Sequence, residues 1–337
     1  MPPYPKLPAP LALTIGEPAG IGPELALKAW QISDKAAIKP FALIGDVEVM
    51  RTHSANLTVP IEQIDAFADA QSVFAKALPV FHIPFMEQPQ LGAPSSKTAS
   101  GVLGAIEKAV ELTLSGEARA VVTNPIQKAT LKQAGFAHPG HTEYLAALAN
   151  KAGYAATPVM MLANEKLRAV PVTIHVALSS VPGLLTTELI INTARIAHRD
   201  LQSRFGIAQP RLAISGLNPH AGENGAFGDE DETIIAPAIS HLCSEGINAF
   251  GPLPADMMFH DEARETYDVA LCMYHDQALI PVKTLGFHDG VNVTLGLPFV
   301  RTSPDHGTAL DLAGKGTARA DSLIAALKLA DRLTRHD

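Results

Sequence analysis

Residues 273–283, MYHDQALIPVK, bring an imidazole, a carboxylate and an ammonium group into one short stretch: His275, Asp276 and Lys283. The apolar run 269–273 ahead of them reads as a short buried strand. His275 and Asp276 then fall where a strand of an open α/β sheet ends, which is where such sheets bind ligands. Lys283 follows beyond Pro281, which is expected to break the chain. An imidazole beside a carboxylate suits a metal ligand with its orienting partner. The plainer reading is a His and an Asp that hydrogen-bond a loop.

Two other histidines occupy comparable places, His175 near the end of a hairpin strand and His220 in the loop after a strand. Three neutral imidazoles with coordination positions left over make a catalytic metal arrangement, favouring zinc or cobalt over magnesium by ligand softness. The chain has 13 histidines, so spacing alone does not single these out. Asp256 and Asp276 are candidates for holding the imidazole tautomers, and either could instead cap a helix or a turn. The loop 218–225, NPHAGENG, is rich in residues that let a backbone pass close to a ligand. Gly222, Gly225 and Gly228 follow a GxxGxxG spacing, which is neither the GxGxxG dinucleotide fingerprint nor a Walker sequence, and the loop 16–22 is neither as well.

Asn292, Arg301, Thr302, Ser303, Asp305 and His306 cluster later in the chain. With Lys283 they offer two cations and several neutral donors suited to phosphate or carboxylate, although Arg301 could equally pair with Asp305 at the surface. His141 and Thr142 open a helix, whose N-terminal N–H groups and dipole favour an anion; the alternative is an ordinary cap.

These residues need elements to hold them. Strands are expected at 11–15, 41–44, 120–123, 159–163, 167–176, 211–215, 269–273 and 291–295. Helices are expected at 23–30, 100–114, 126–134, 144–151, 186–205, 229–242 and 321–335. Short strands alternating with helices give a largely parallel sheet with helices on both faces, and 159–176 adds an antiparallel hairpin. Residues 47–95 mix strand and helix signals. A chain of 337 residues exceeds the size at which one core usually stops growing. No linker separates two domains, so two interwoven α/β subdomains are expected: 1–130 with 285–337 as the outer one, and 131–284 for the metal site and dimerisation.

The composition is 47% hydrophobic and 5% aromatic, which gives an aliphatic core, and the formal charge of −8 argues against nucleic acid or an acidic membrane as partner. It leaves an anionic small ligand open, because screening over about 8 Å lets local cations dominate. Cys243 and Cys272 read as buried thiols rather than a disulfide framework. Residues 1–10 are Pro-rich without a signal-peptide pattern, and no apolar run has the length of a membrane span, so a cytoplasmic location is expected.

Several blocks together resemble the 4-hydroxythreonine-4-phosphate dehydrogenase family of vitamin B6 biosynthesis: GEPAGIGPE (16–24), HPGHTE (138–143), NPHAGENG (218–225), GPLPAD (251–256), MYHDQALIPVK (273–283) and GVNVTLGLPFVRTSPDHGTALDLAG (290–314). The match runs across nearly the whole chain, with Glu17 where the family commonly has Asp. The resemblance implies an isocitrate/isopropylmalate dehydrogenase-like fold, NAD or NADP as cofactor, one divalent metal (zinc, cobalt or magnesium) per site, and a homodimer with active sites at the subunit interface. It maps the metal ligands onto His175, His220 and His275, in part from different subunits. Substrate contacts map onto His141, Thr142, Lys283, Asn292 and Arg301, and Asp256 or Asp276 is the expected proton acceptor. The expected reaction is oxidation of a small phosphorylated hydroxy amino acid followed by decarboxylation. A sister dehydrogenase for 4-phospho-threonate or 4-phospho-erythronate, a metal-dependent phosphatase and a non-catalytic phosphometabolite binder are the alternatives.

Overall fold

The computed structural model describes residues 9–55 and 57–335; most of the Pro-rich N-terminal stretch read above lies outside them. The strands are β1 (Leu11–Thr14), β2 (Phe41–Gly45), β3 (Ile61–Ile64), β4 (Leu78–His82), β5 (Ala120–Thr123), β6 (Val159–Ala163), β7 (Arg168–Pro171), β8 (Arg211–Ser215), β9 (Asn248–Leu253), β10 (Val269–Cys272), β11 (Val291–Leu295) and β12 (Val300–Pro304). They fall into two compact units, residues 9–158 with 297–335, and residues 159–296. The division lies at 158/159 and 296/297, later at both points than 130/131 and 284/285. One reason is that β11 pairs antiparallel with β6, Val291 opposite Ala163, which ties residues past 285 to the second unit.

In the first unit the strand order is β3-β4-β2-β1-β5-β12, parallel throughout. Every residue of β1, β2, β5 and β12 is buried, as parallel strands covered on both faces should be; β12 is so although Arg301, Thr302 and Ser303 are polar. The helix Ala99–Ser115 buries Val102, Ile106 and Val110 and ends at Gly116, whose φ of 87° supplies the left-handed cap. Strand order reverses beside β1, since β2 lies on one side and β5 on the other. The loops leaving β1 and β5 stay in contact there, Glu17 N–H donating to the Pro125 carbonyl at 2.8 Å. Gly16 makes their close approach possible: its φ is +72°, and a Cβ there would stand 2.6 Å from the Pro125 carbonyl oxygen.

In the second unit the order is β11-β6-β7-β10-β8-β9. The β11–β6 and β6–β7 pairs are antiparallel and the remaining three parallel. The expected hairpin forms: Asn164 Oδ1 accepts from the N–H groups of Lys166 and Leu167 at 2.8 and 2.9 Å and fixes its turn. β9 was not anticipated; its Gly251 and Pro252 hide the strand pattern, and it lies at the sheet edge, where a strand proline is tolerated.

Pro281 does not break the chain. A helix runs from His275 to Leu285 with Pro281 inside it. An interior proline costs about 3 kcal/mol, and the buried face of Gln277, Ala278, Leu279 and Val282 offsets it by packing on the sheet core. The helix expected at 229–242 is also modified. Asp231–Ile235 is a single wide π turn before Ala236–Ser244, which accommodates Pro237 and its missing N–H.

Candidate active site

Three adjacent parallel strands of the second unit, β7, β10 and β8, end on the same side, and each leads to one of the candidate histidines. Beyond β7 the chain keeps to the end of β10: Val172 N–H donates to the Cys272 carbonyl at 2.8 Å, and Thr173 Oγ1 donates to the Met273 carbonyl at 2.7 Å. This brings the His175 ring to 5.6 Å from the His275 ring, centroid to centroid. His275 is the first residue of its helix, and its Nδ1 lies 2.7 Å from Asp276 Oδ1. That bond holds the proton on Nδ1 and turns the Nε2 lone pair outward, the tautomer a metal ligand needs.

The two rings share a pocket of about 240 Å³ with Thr173, Val181, Tyr274 and Asp276. Lys283, in the last turn of the same helix, opens with His275, Asp276 and Phe287 onto a neighbouring pocket of about 410 Å³. Asp256 and Asp276 line a third pocket, more apolar, with Phe259, Tyr274 and Ile280. His220 is not among the lining residues of any of these; its ring stands 5.9 Å from that of Phe227. Among the described residues no three His, Cys, Asp or Glu side chains stand close enough to share one ion. The donor set thus fits a metal in part. Two imidazoles are together and one is correctly oriented, while the third is held nearby in the sequence of strand ends but not at the same point.

Backbone strain marks the same residues. His175 has φ 39°, and His220, Ala221, Glu223 and Asn224 have φ between 42° and 53°, a region that costs a non-glycine residue about 1–2 kcal/mol. The loop that carries His220 is over-determined by Asp231. Its buried carboxylate accepts from Leu217 N–H at 2.9 Å, Asn218 N–H at 3.2 Å and Asn218 Nδ2 at 3.0 Å. Gly222, Gly225 and Gly228 all have positive φ, 81°, 83° and 122°. The spacing therefore serves the loop's own course: a Cβ on Gly228 would meet Asn218 Nδ2 and Glu230 Oε2 at 2.6 Å. Gln277, which residue type alone did not single out, ties the strand ends together. Its Oε1 accepts from Met273 N–H and from Ser215 Oγ, both at 2.7 Å, and its Nε2 donates to the Gly216 carbonyl at 2.8 Å.

The first unit carries the anion-type residues. Arg301, on β12 opposite Val121, is buried and donates to Thr123 Oγ1 through Nη2 at 2.7 Å and Nε at 3.2 Å. Burial lowers its guanidinium pKa to about 10, with Glu143 acting in the opposite sense. Arg301 is thus not a surface residue. His141 begins the helix His141–Lys151, with Thr142 and Glu143 in the first turn. Burial, then Arg301, then Lys128 hold its imidazole well below the usual range, so it is neutral. Its Nε2 is buried and finds no hydrogen-bond partner among the described residues. Thr302 is spent on structure, donating to the Ala326 carbonyl at 2.9 Å, and His306 Nδ1 lies 2.9 Å from the Gly307 carbonyl. Asn292 belongs to the second unit, on β11 opposite Leu162, and its Oδ1 is likewise buried without a partner among the described residues. Glu17 is buried, accepts from Ala19 N–H at 3.1 Å, and has its pKa raised by burial. The longer side chain at this position is therefore used to brace the loop after β1.

A family model described as "Pyridoxal phosphate biosynthetic protein PdxA" matches residues 37–330. A 4-hydroxythreonine-4-phosphate dehydrogenase of Methylorubrum populi is 58% identical over 331 residues, covering 97% of this chain and 95% of its own. The crystal structure of a 4-hydroxythreonine-4-phosphate dehydrogenase from Klebsiella pneumoniae matches with a TM-score of 0.86 at 36% identity, over 98% of this chain and 99% of that one. A terephthalate 1,2-cis-dihydrodiol dehydrogenase from Burkholderia xenovorans LB400 matches at a TM-score of 0.64 and 28% identity, over 96% of this chain and 97% of that one. With the family model spanning most of its length and relatives this similar from end to end, the chain belongs to the PdxA family of pyridoxal phosphate biosynthetic proteins.

Proposed function

We propose that this chain oxidises 4-(phosphooxy)-L-threonine to 2-amino-3-oxo-4-(phosphooxy)butanoate with NAD or NADP, as a step of pyridoxal 5′-phosphate biosynthesis. The observation that carries the reading is the 58% identity, over 97% of the chain, to a relative named for this activity. The β-keto acid then loses CO₂ to give 3-amino-2-oxopropyl phosphate.

The residues divide the work by chemistry. Arg301, Lys283, Asn292, Thr142 and the neutral His141 bind the phosphate and carboxylate and fix the reacting carbon against the nicotinamide. Asp276 fixes the tautomer of His275 through the 2.7 Å bond at Nδ1. His175, His220 and His275 would hold a divalent ion, zinc, cobalt or magnesium, whose Lewis acidity lowers the pKa of the substrate hydroxyl. Asp256 or Asp276 takes the hydroxyl proton, directly or through one water. The C3 hydride passes to the nicotinamide as that proton leaves, so the oxidation balances.

A homodimer completes this reading. Of the ten large apolar side chains that are exposed among the described residues, eight belong to the second unit; Leu178, Ile280 and Phe287 are 67%, 63% and 72% exposed. Leu178, Ile280 and Phe287 line the pockets that hold His275. A second copy covering this face would bury them and could bring the missing third imidazole to each His175–His275 pair. Among the described residues no helix is long and apolar enough to cross a membrane.

The test is a panel of 4-(phosphooxy)-L-threonine, 4-phospho-threonate and 4-phospho-erythronate, with NADH absorbance as readout. Fastest turnover of the first supports the reading, and preference for either of the others assigns a sister activity. Release of free phosphate without an NADH signal would make the chain a phosphatase. His275→Ala is expected to lose the metal and several orders of magnitude in turnover, about 1.4 kcal/mol per tenfold. Near-normal activity of metal-free His275→Ala would overturn the metal assignment.

A further inference from the structure

The anion-type residues of the first unit include one cation that the family assignments leave unused. Lys128 begins the helix Lys128–Gln133, a few residues after β5 ends. Its Nζ lies 3.4 Å, and Glu143 Oε2 lies 2.9 Å, from the point where a Cβ on Gly140 would stand. Gly140 is extended, with φ −165°, so no conformational demand requires glycine there. The missing side chain instead leaves room for the ammonium and the carboxylate beside the start of the helix His141–Lys151. His141 responds to Arg301 and to Lys128 alike, and Arg301 responds to Glu143. Lys128 and Glu143 thus lie beside the residue that precedes this imidazole, whose buried Nε2 finds no partner among the described residues.

This arrangement suits an anion. Arg301 is desolvated on the strand and presents a fixed fork, whereas Lys128 is exposed and supplies a mobile point charge. The neutral imidazole can donate one hydrogen bond without adding charge. The Glu143 carboxylate, beside Lys128 at Gly140, offsets part of the cations' mutual repulsion. With Glu143 counted the cluster carries a net charge of +1, and its two cations and the imidazole N–H supply the several donors that the oxygens of a phosphate monoester accept from.

We propose that Lys128 is a further substrate-binding residue, which with Arg301 and His141 holds the phosphate of the substrate. This rests on the function proposed above and names the residues that read its phosphate. An exposed lysine contributes a charge-assisted contact that solvent partly screens, so its loss should weaken phosphate binding by roughly 10- to 30-fold.

The experiment compares wild type, Lys128→Ala and Lys128→Arg with phosphorylated and unphosphorylated 4-hydroxythreonine. In Lys128→Ala the ratio of KM for the phosphorylated to the unphosphorylated compound should rise about tenfold or more, with kcat for the phosphorylated one within about threefold of wild type. Lys128→Arg should recover most of the loss, which a purely structural role would not produce. Isothermal titration with inorganic phosphate is the direct measurement: binding by wild type should weaken about tenfold in Lys128→Ala. Equal KM changes for the two compounds, or equal phosphate affinity in the variant and wild type, would overturn the proposal. If wild type oxidises neither compound, the functional reading fails, and the phosphate titration still decides the role of Lys128.

Discussion

Replacing Gln277 by Leu tests whether the ends of β8 and β10 are held by one side-chain amide. In the native chain Oε1 accepts from Met273 N–H and Ser215 Oγ, and Nε2 donates to the Gly216 carbonyl. Leucine fills nearly the same space but strands these groups. The Ser215 hydroxyl already lies 3.2 Å from the Gly216 carbonyl oxygen, so those two can satisfy each other, and Met273 N–H is left buried and alone. One stranded donor plus a weakened pair costs about 2–4 kcal/mol, and the added apolar burial returns up to about 1 kcal/mol. A net loss of about 2–3 kcal/mol corresponds to a fall in Tm of about 4–12 °C at 2–4 °C per kcal/mol. His275 starts two residues after Met273 and the His220 loop starts at Gly216. A shift of about 1 Å between them is worth roughly 100-fold in kcat/KM. Differential scanning calorimetry and NADH-linked kinetics measure both. If Gln277→Leu melts within about 2 °C of wild type and keeps its kcat/KM, the amide does not position the strand ends. Ser215→Ala leaves Met273 N–H satisfied and should cost less than about 1.5 kcal/mol.

Two other perturbations follow from the first unit. Gly16→Ala forces a left-handed residue, with its Cβ 2.6 Å from the Pro125 carbonyl oxygen and 2.7 Å from Asn124 Cβ. It should destabilise by about 2–4 kcal/mol, read as a lower denaturant midpoint, whereas an unchanged midpoint would mean the two loops are not in contact in solution. His53 and His141 both have pKa values lowered chiefly by burial. The unfolded imidazoles titrate near 6.5, so below about that pH the unfolded state binds more protons than the folded one. Their contribution is therefore complete above pH 6.5 and lost as the pH falls toward the folded values, at up to about 1.4 kcal/mol per pH unit per histidine. In His53→Gln, which keeps a donor for the Pro18 carbonyl, the loss of stability between pH 7 and pH 5 should be smaller by up to that share. An identical pH slope would show that His53 binds its proton equally in the folded and unfolded states.

What the sequence reveals about this site is its local part. The run 269–273 is apolar and short, so a strand end at His275 follows directly, and the glycines at 222, 225 and 228 do take positive φ. Pairing partners are another matter. His175 meets His275 because β7 lies beside β10, with Ala169 opposite Ala270, and no periodicity within either strand contains that choice. Gln277 and Asp231 were passed over for the same reason. Each is an ordinary polar residue until its partners are known, and these lie 61 residues away at Gly216 and 14 away at Leu217. Pro281 misled in the opposite sense. Its local rule is sound, but Ala278, Leu279 and Val282 bury enough of the helix to override it.

His220 offers the sharpest separation of stability from function. Its φ of 53° and ψ of 26° cost a side chain about 1–2 kcal/mol that glycine would not incur. A glycine there would in turn add about 0.4–1 kcal/mol of unfolded-state entropy to be lost on folding. The ring's contact with Phe227, 5.9 Å between centroids, is weak, since Phe227 is itself 49% exposed. These terms nearly cancel, so metal-free His220→Gly should unfold within about 1 kcal/mol of metal-free wild type. On the ligand role proposed for His220, its affinity for zinc or cobalt should nevertheless collapse. Metal titration and denaturant unfolding on the same preparation separate the two roles. A metal-free loss of more than about 2 kcal/mol would show that the imidazole packs the loop, and undiminished metal affinity would remove His220 from the ligand set.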